Sequence, residues 1–124
     1  MKLKIKKRKV SEKNVKRLEK LAGKAMIGRY DNFVKHAEEV MKKYEDREQT
    51  SWCKSVLLGQ AGYWKKIKDN LVEAKRFEEA KEYGERVMLL RAFSAELDTG
   101  FYDVNILKEF EDYVTILKEE RNLL

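Results

Sequence analysis

The chain has 124 residues, 40% of them charged, a formal net charge of +6, no proline and a single cysteine, Cys53. One domain of this size buries about two-thirds of the surface its unfolded chain exposes, without staples. A lone cysteine forms no internal disulfide, which points to a reducing compartment and a cytoplasmic location. No apolar run approaches the ~20 residues of a membrane span, and residues 1–10 lack the apolar core of a secretion signal, so no membrane partner is expected.

Residues 2–9, KLKIKKRK, carry six positive charges and no negative one. Leu3 and Ile5 alternate with the lysines, which predicts a short extended basic arm over residues 1–10 and a single helical domain over 11–124. Ser11 is placed to cap a first helix. Val15, Leu18, Ala22 and Ala25 form its apolar face, and Lys13, Lys16, Arg17, Lys20 and Lys24 run along the other side. Net charge is +9 over residues 2–24, +2 over 25–72 and −5 over 73–124. The polarity is the most informative feature of the sequence.

A second helix is expected from about Asp31 to Tyr44, with Phe33, Ala37, Val40 and Met41 inward. The break before it is read from GRYD (28–31), which GFYD (100–103) echoes, with the aspartate as cap in each. RYDNFVKHAEEVM (29–41) also aligns without gaps on RFEEAKEYGERVM (76–88), an offset of 47 residues compatible with a helical-repeat unit. DREQT (46–50) reads as a charged linker, and Thr50 or Ser51 caps a long third helix carrying Trp52. Gly59 and Gly62 inside it each cost ~1 kcal/mol relative to alanine. Either the helix breaks there or a neighbouring backbone approaches closely.

Leu57, Ala61, Trp64, Ile67 and Leu71 recur at spacings of three and four, one helical face. After Ala74 a new stripe begins: Phe77, Ala80, Gly84, Val87 and Leu90. The phase change, together with Lys75-Arg76, predicts a tight turn between two antiparallel helices; one helix running through 75–77 is the alternative. Residues 64–90 resemble a tetratricopeptide-repeat hairpin. Trp64, Ile67, Leu71, Phe77 and Ala80 fall at that motif's apolar and small positions, and EAKRFEEA looks like its turn. The chain departs from the motif at Lys68, where a small residue belongs, and at Gly84, where a large one does. The resemblance implies a protein-binding groove around Trp64, Tyr83 and Phe93.

The fourth helix should end near Asp98, with Gly100 as its stop. Asp103 then caps a fifth, whose stripe is Ile106, Leu107, Phe110, Tyr113, Val114 and Leu117. The expected fold is all-α: about five helices in a small bundle or stacked helical hairpins, preceded by the arm.

Catalytic signatures are missing. His36 is the sole histidine, so no histidine-rich metal site or second-histidine triad can form, and Cys53 reads as a packed thiol rather than a nucleophile paired with His36. Neither GxxxxGK[ST] nor GxGxxG occurs. Glu78, Glu79, Glu82 and Glu85 alternate with Lys75, Arg76, Lys81 and Arg86, the pattern of a solvated face with i,i+4 pairs. No catalytic residue, metal or cofactor is expected, and the chain does not read as an enzyme.

Clustered Lys/Arg side chains are rewarded by polyanion backbones through counterion release, and lysines contact phosphates without reading bases. The expected function is therefore sequence-independent nucleic-acid binding, DNA or RNA, through Lys2, Lys4, Lys6, Lys7, Arg8 and Lys9 and the stripe Lys13, Lys16, Arg17, Lys20 and Lys24. Tyr63, Lys65 and Lys66 add an aromatic among lysines, a place for unpaired bases to stack, whereas Trp64 is in phase with the core. The opposed charges at the two ends also suit head-to-tail self-association. In size, class and charge alone the chain is similar to the small subunits of RNA-guided CRISPR effector complexes, which implies a small subunit of a larger nucleoprotein assembly. The alternative is a protein-interaction adaptor using the groove of the tetratricopeptide-like hairpin.

Overall fold

The computed structural model describes the backbone of residues 12–124 and the side chains from Ala25 onward. It contains four α-helices: α1 (Glu12–Lys43), α2 (Thr50–Glu73), α3 (Phe77–Thr99) and α4 (Val104–Leu123), with a 3-10 turn at Arg47–Gln49 between the first two. No strand occurs among the described residues. The expected arm over residues 1–10 lies outside them. Each helix packs against its neighbour in sequence, and α1 packs against α4 to close the ring. Successive helices run antiparallel: Asp31 of α1 meets Arg121 of α4 while Tyr44 meets Tyr102, and Phe93 of α3 meets Phe110 of α4 while Arg86 meets Glu120.

The first two expected helices are one. Met26, Tyr30, Ala37 and Val40 are all buried, and their spacings keep one helical phase straight through Gly28 and Asp31. With no proline in the chain, the exposed Gly28 costs ~1 kcal/mol, too little to break a helix whose face is buried on both sides of it. Asp31 is accordingly no cap; its Oδ1 accepts from Arg121 Nε at 2.7 Å. Ala25, expected inward, is exposed, and the next residue, Met26, is buried; the side chains of Val15, Leu18 and Ala22 lie outside the described ones.

The 46–50 linker coils into the 3-10 turn because the Asp46 side chain accepts from the Glu48 amide at 3.0 Å. Neither Thr50 nor Ser51 caps α2: the N-cap is Gln49, which makes no side-chain cap bond. Gly59 and Gly62 neither break α2 nor meet a neighbouring backbone, since a Cβ at either would find nothing within 4 Å.

The α2–α3 turn falls where the phase changes. Arg76 N bonds Leu71 O at 2.8 Å and Lys75 N bonds Val72 O at 2.9 Å, the pair of bonds that closes a helix through a left-handed residue. That residue is Lys75, φ 60°, the one non-glycine with positive φ among the described residues. The hairpin is the tightest pairing in the fold. Its two departures from the repeat motif meet each other: a Cβ on Gly84 would lie 3.5 Å from Lys68 Cδ, so the large and small residues have exchanged sides of the interface. Gly100, φ 75°, stops α3, and Asp103 caps α4 by accepting from the Asn105 amide at 2.8 Å.

Candidate nucleic-acid interface

The core is aromatic and carries a polar spine. Trp64, Phe93, Phe110 and Tyr113 are fully buried. Trp64 Nε1 donates to the Tyr113 hydroxyl at 2.8 Å, which donates to Gln60 Oε1 at 2.5 Å, and Gln60 Nε2 donates to the Phe33 carbonyl at 3.1 Å. Each polar group of this spine thus has a partner, as the cost of leaving one unmade requires. The three residues of the expected groove, Trp64, Tyr83 and Phe93, are core residues, with exposures of 0%, 5% and 0%. Their helical phase, read as a groove, is the phase of the α2–α3 packing face.

Lys2, Lys4, Lys6, Lys7, Arg8 and Lys9 lie outside the described residues. Lys13, Lys16, Arg17, Lys20 and Lys24 sit on the helical backbone of α1, with their side chains outside the described set. Lys65 and Lys66 are exposed on α2, where Lys65 Nζ meets Asp69 Oδ2 at 2.8 Å and that hydrogen bond holds the Asp69 carboxyl below its usual range. Tyr63 is half-buried rather than free. Its ring stands edge-on to Phe33 and Trp64, its hydroxyl contacts Met26 Sδ at 3.3 Å, and burial pushes its pKa up. Arg29 lies over the ring, Cζ to centroid 4.6 Å.

That arginine belongs to a seam which sequence reasoning missed. On α1, Arg29, Phe33, His36 and Lys43 share one edge; on α2, Trp52, Val56, Gly59 and Tyr63 share the facing edge, at spacings of four, three and four. Lys43 Nζ lies 5.1 Å from the Trp52 ring centroid, and the His36 ring stands edge-on to Trp52 at 6.0 Å. Lys43 also meets Glu39 at 3.2 Å, and that bond keeps the Glu39 carboxyl low. The signal was present in the spacing, but an expected break at 28–31 separated Arg29 from the helix that carries Phe33 and His36.

Charge is also divided along the chain: residues 50–68 contain four lysines and no acidic residue, whereas α3 and α4 are each net acidic. Lys54 of α2 meets Asp98 of α3 at 2.8 Å across that division. Between α1 and α4 lies an open cleft of about 310 Å³ whose charged lining pairs with itself, Arg121 with Asp31 and Lys118 with Glu38 at 3.0 Å.

Cys53 is closed to solvent, and burial pushes its thiol pKa up, the reverse of the shift that activates a nucleophile. His36 is exposed against Trp52. Among the described residues no group of three or more His, Cys, Asp or Glu could hold a metal ion, and no helix is long and apolar enough to cross a membrane.

Fold and surface together define an all-α, up-and-down bundle with one face of aromatics and cations. No family model matches this chain, and neither a curated protein nor a solved structure matches it. Nothing in these comparisons supports the tetratricopeptide resemblance of residues 64–90.

Proposed function

We propose that the protein is a non-catalytic nucleic-acid-binding module that grips the phosphate backbone through its basic N-terminal segment, as a small subunit of a larger nucleoprotein assembly. The observation that carries this reading is the separation of charge: +9 over residues 2–24 against −5 over residues 73–124. A polyanion is drawn to the basic stretch of such a chain and repelled by the acidic one, which orients as well as binds it. Lysine-rich contacts of this kind hold phosphates and leave bases unread, so affinity should be nearly indifferent to sequence and fall steeply with salt. The acidic α3–α4 side is then free to meet the basic segment of another copy or of a neighbouring subunit.

The adaptor reading loses its stated site, because Trp64, Tyr83 and Phe93 are enclosed in the core. The experiment is an electrophoretic shift series with single- and double-stranded DNA and RNA at two salt concentrations. Binding that weakens strongly at the higher salt supports the reading, and no shift with any of the four overturns it.

A further inference from the structure

The α1–α2 seam places aromatic rings and cations together, with Glu39 as the carboxylate that meets its Lys43. Trp52 and Tyr63 stand eleven residues apart on α2, three helical turns and about 16 Å along one edge. Each has a cation at its ring: Lys43 at Trp52, Arg29 at Tyr63. Between them the floor is the half-buried Val56 and Phe33, and Gly59 leaves open space where a Cβ would meet nothing within 4 Å. A glycine there gives up helix stability without any internal packing reason, which directs attention to what lies outside it. On α2, Lys66 is exposed three residues beyond Tyr63, whereas Lys54 and Lys65 already meet Asp98 and Asp69.

We propose that this seam binds unpaired nucleotides of a single-stranded nucleic acid, bases stacking at Trp52 and Tyr63 and phosphates held by Arg29, Lys43 and Lys66. The proposal rests on the nucleic-acid reading above and gives it a second contact, on the folded domain rather than the arm. Stacking needs an accessible base face. In a duplex those faces cover one another, so aromatic side chains at a helix seam have nothing to stack on, and the seam discriminates single strands from double. Arg29 suits the task twice, since a guanidinium offers a planar stacking surface and a phosphate donor. The Lys43–Glu39 contact is opened when Lys43 turns to a phosphate.

Trp52 makes the test direct. The chain has two tryptophans, and Trp64 is fully enclosed, so quenching of intrinsic fluorescence by a bound base reports Trp52. The full chain is titrated with an oligothymidine, with a duplex of the same length and with polyglutamate. The expected result is quenching by oligothymidine but not by duplex or polyglutamate, and loss of that quenching in Trp52→Phe. Trp52→Ala and Arg29→Gln should each weaken oligothymidine binding about tenfold, the scale of one lost stacked base, with helicity unchanged. Oligothymidine that binds with Trp52 fluorescence unaltered, or equal quenching by polyglutamate, overturns the seam and leaves the basic segment as the nucleic-acid contact. Failure of every nucleic acid to bind overturns both readings.

Discussion

Arg86 of α3 and Glu120 of α4 form a two-pronged ion pair inside the core, Nη1 to Oε1 at 2.8 Å and Nη2 to Oε2 at 2.5 Å, with both side chains over nine-tenths buried. Tyr30 of α1 donates to the same Oε1 at 2.8 Å, and the guanidinium lies over Trp64 of α2 at 4.6 Å. One pair thus touches all four helices. Burial alone would lower the Arg86 pKa, but the charge and hydrogen bonds of Glu120 more than offset it and hold the guanidinium firmly protonated. Breaking such a pair from one side leaves a buried charge uncompensated, at a cost of about 3–5 kcal/mol, whereas replacing both partners by apolar residues of similar volume is often neutral. Glu120→Leu should therefore destabilise by about that amount, and Arg86→Met with Glu120→Leu should recover most of it. Urea denaturation of the three proteins checks this; equal losses in the single and double variants would contradict it.

The buried tyrosines predict a specific alkaline instability. Desolvation pushes Tyr83 up to about 12 and Tyr30 and Tyr113 well above the ordinary value of 10. Each raised pKa contributes stability that is complete below pH 10, where folded and unfolded rings are both protonated. Above pH 10 the unfolded chain gives up protons that the folded chain keeps, so stability falls by about 1.4 kcal/mol per pH unit for each such ring. For Tyr83 the loss runs from pH 10 to about 12. Tyr83→Phe should flatten the decline by one ring's share when denaturation midpoints are compared across that window.

Lys75 holds a left-handed conformation at φ 60° in the α2–α3 turn, which costs a side chain with a Cβ about 1 kcal/mol. Lys75→Gly should raise stability by up to that amount, less the added freedom of the unfolded chain, and Lys75→Val should lower it. Thermal midpoints of the two variants should move in opposite directions.

Gly62 and Gly84 sit inside helices with no close neighbour that alanine would strike: a Cβ on Gly62 meets nothing within 4 Å, and one on Gly84 an ordinary 3.5 Å contact with Lys68. Gly62→Ala and Gly84→Ala should each stabilise by about 0.5–1 kcal/mol from helix propensity. A loss at Gly84 would mean that Lys68 cannot shift.

What could be read from the sequence was whatever periodicity and local turn chemistry fix. The α2–α3 turn, the stop at Gly100, the cap at Asp103 and the inward placing of Trp64 and Phe110 all follow from spacing. The merger of two expected helices into α1 did not, because Gly28 and Asp31 look like a boundary until Tyr30 is seen buried against Glu120 and Trp64. The Arg86–Glu120 pair was hidden for a related reason. A charged residue on a mostly charged helix looks solvated, and only the packing of α1, α2 and α4 around it makes it internal. The seam lay one step further, since it needs two helix edges set face to face.

The most direct measurement is the salt dependence of nucleic-acid binding by the whole chain and by a chain lacking residues 2–9. Those residues supply six positive charges, and each phosphate they neutralise adds about 0.7–0.9 to the slope of log affinity against log salt. The account predicts weaker binding and a slope shallower by up to about 4–5 in the shortened chain. Unchanged affinity and unchanged slope would contradict it.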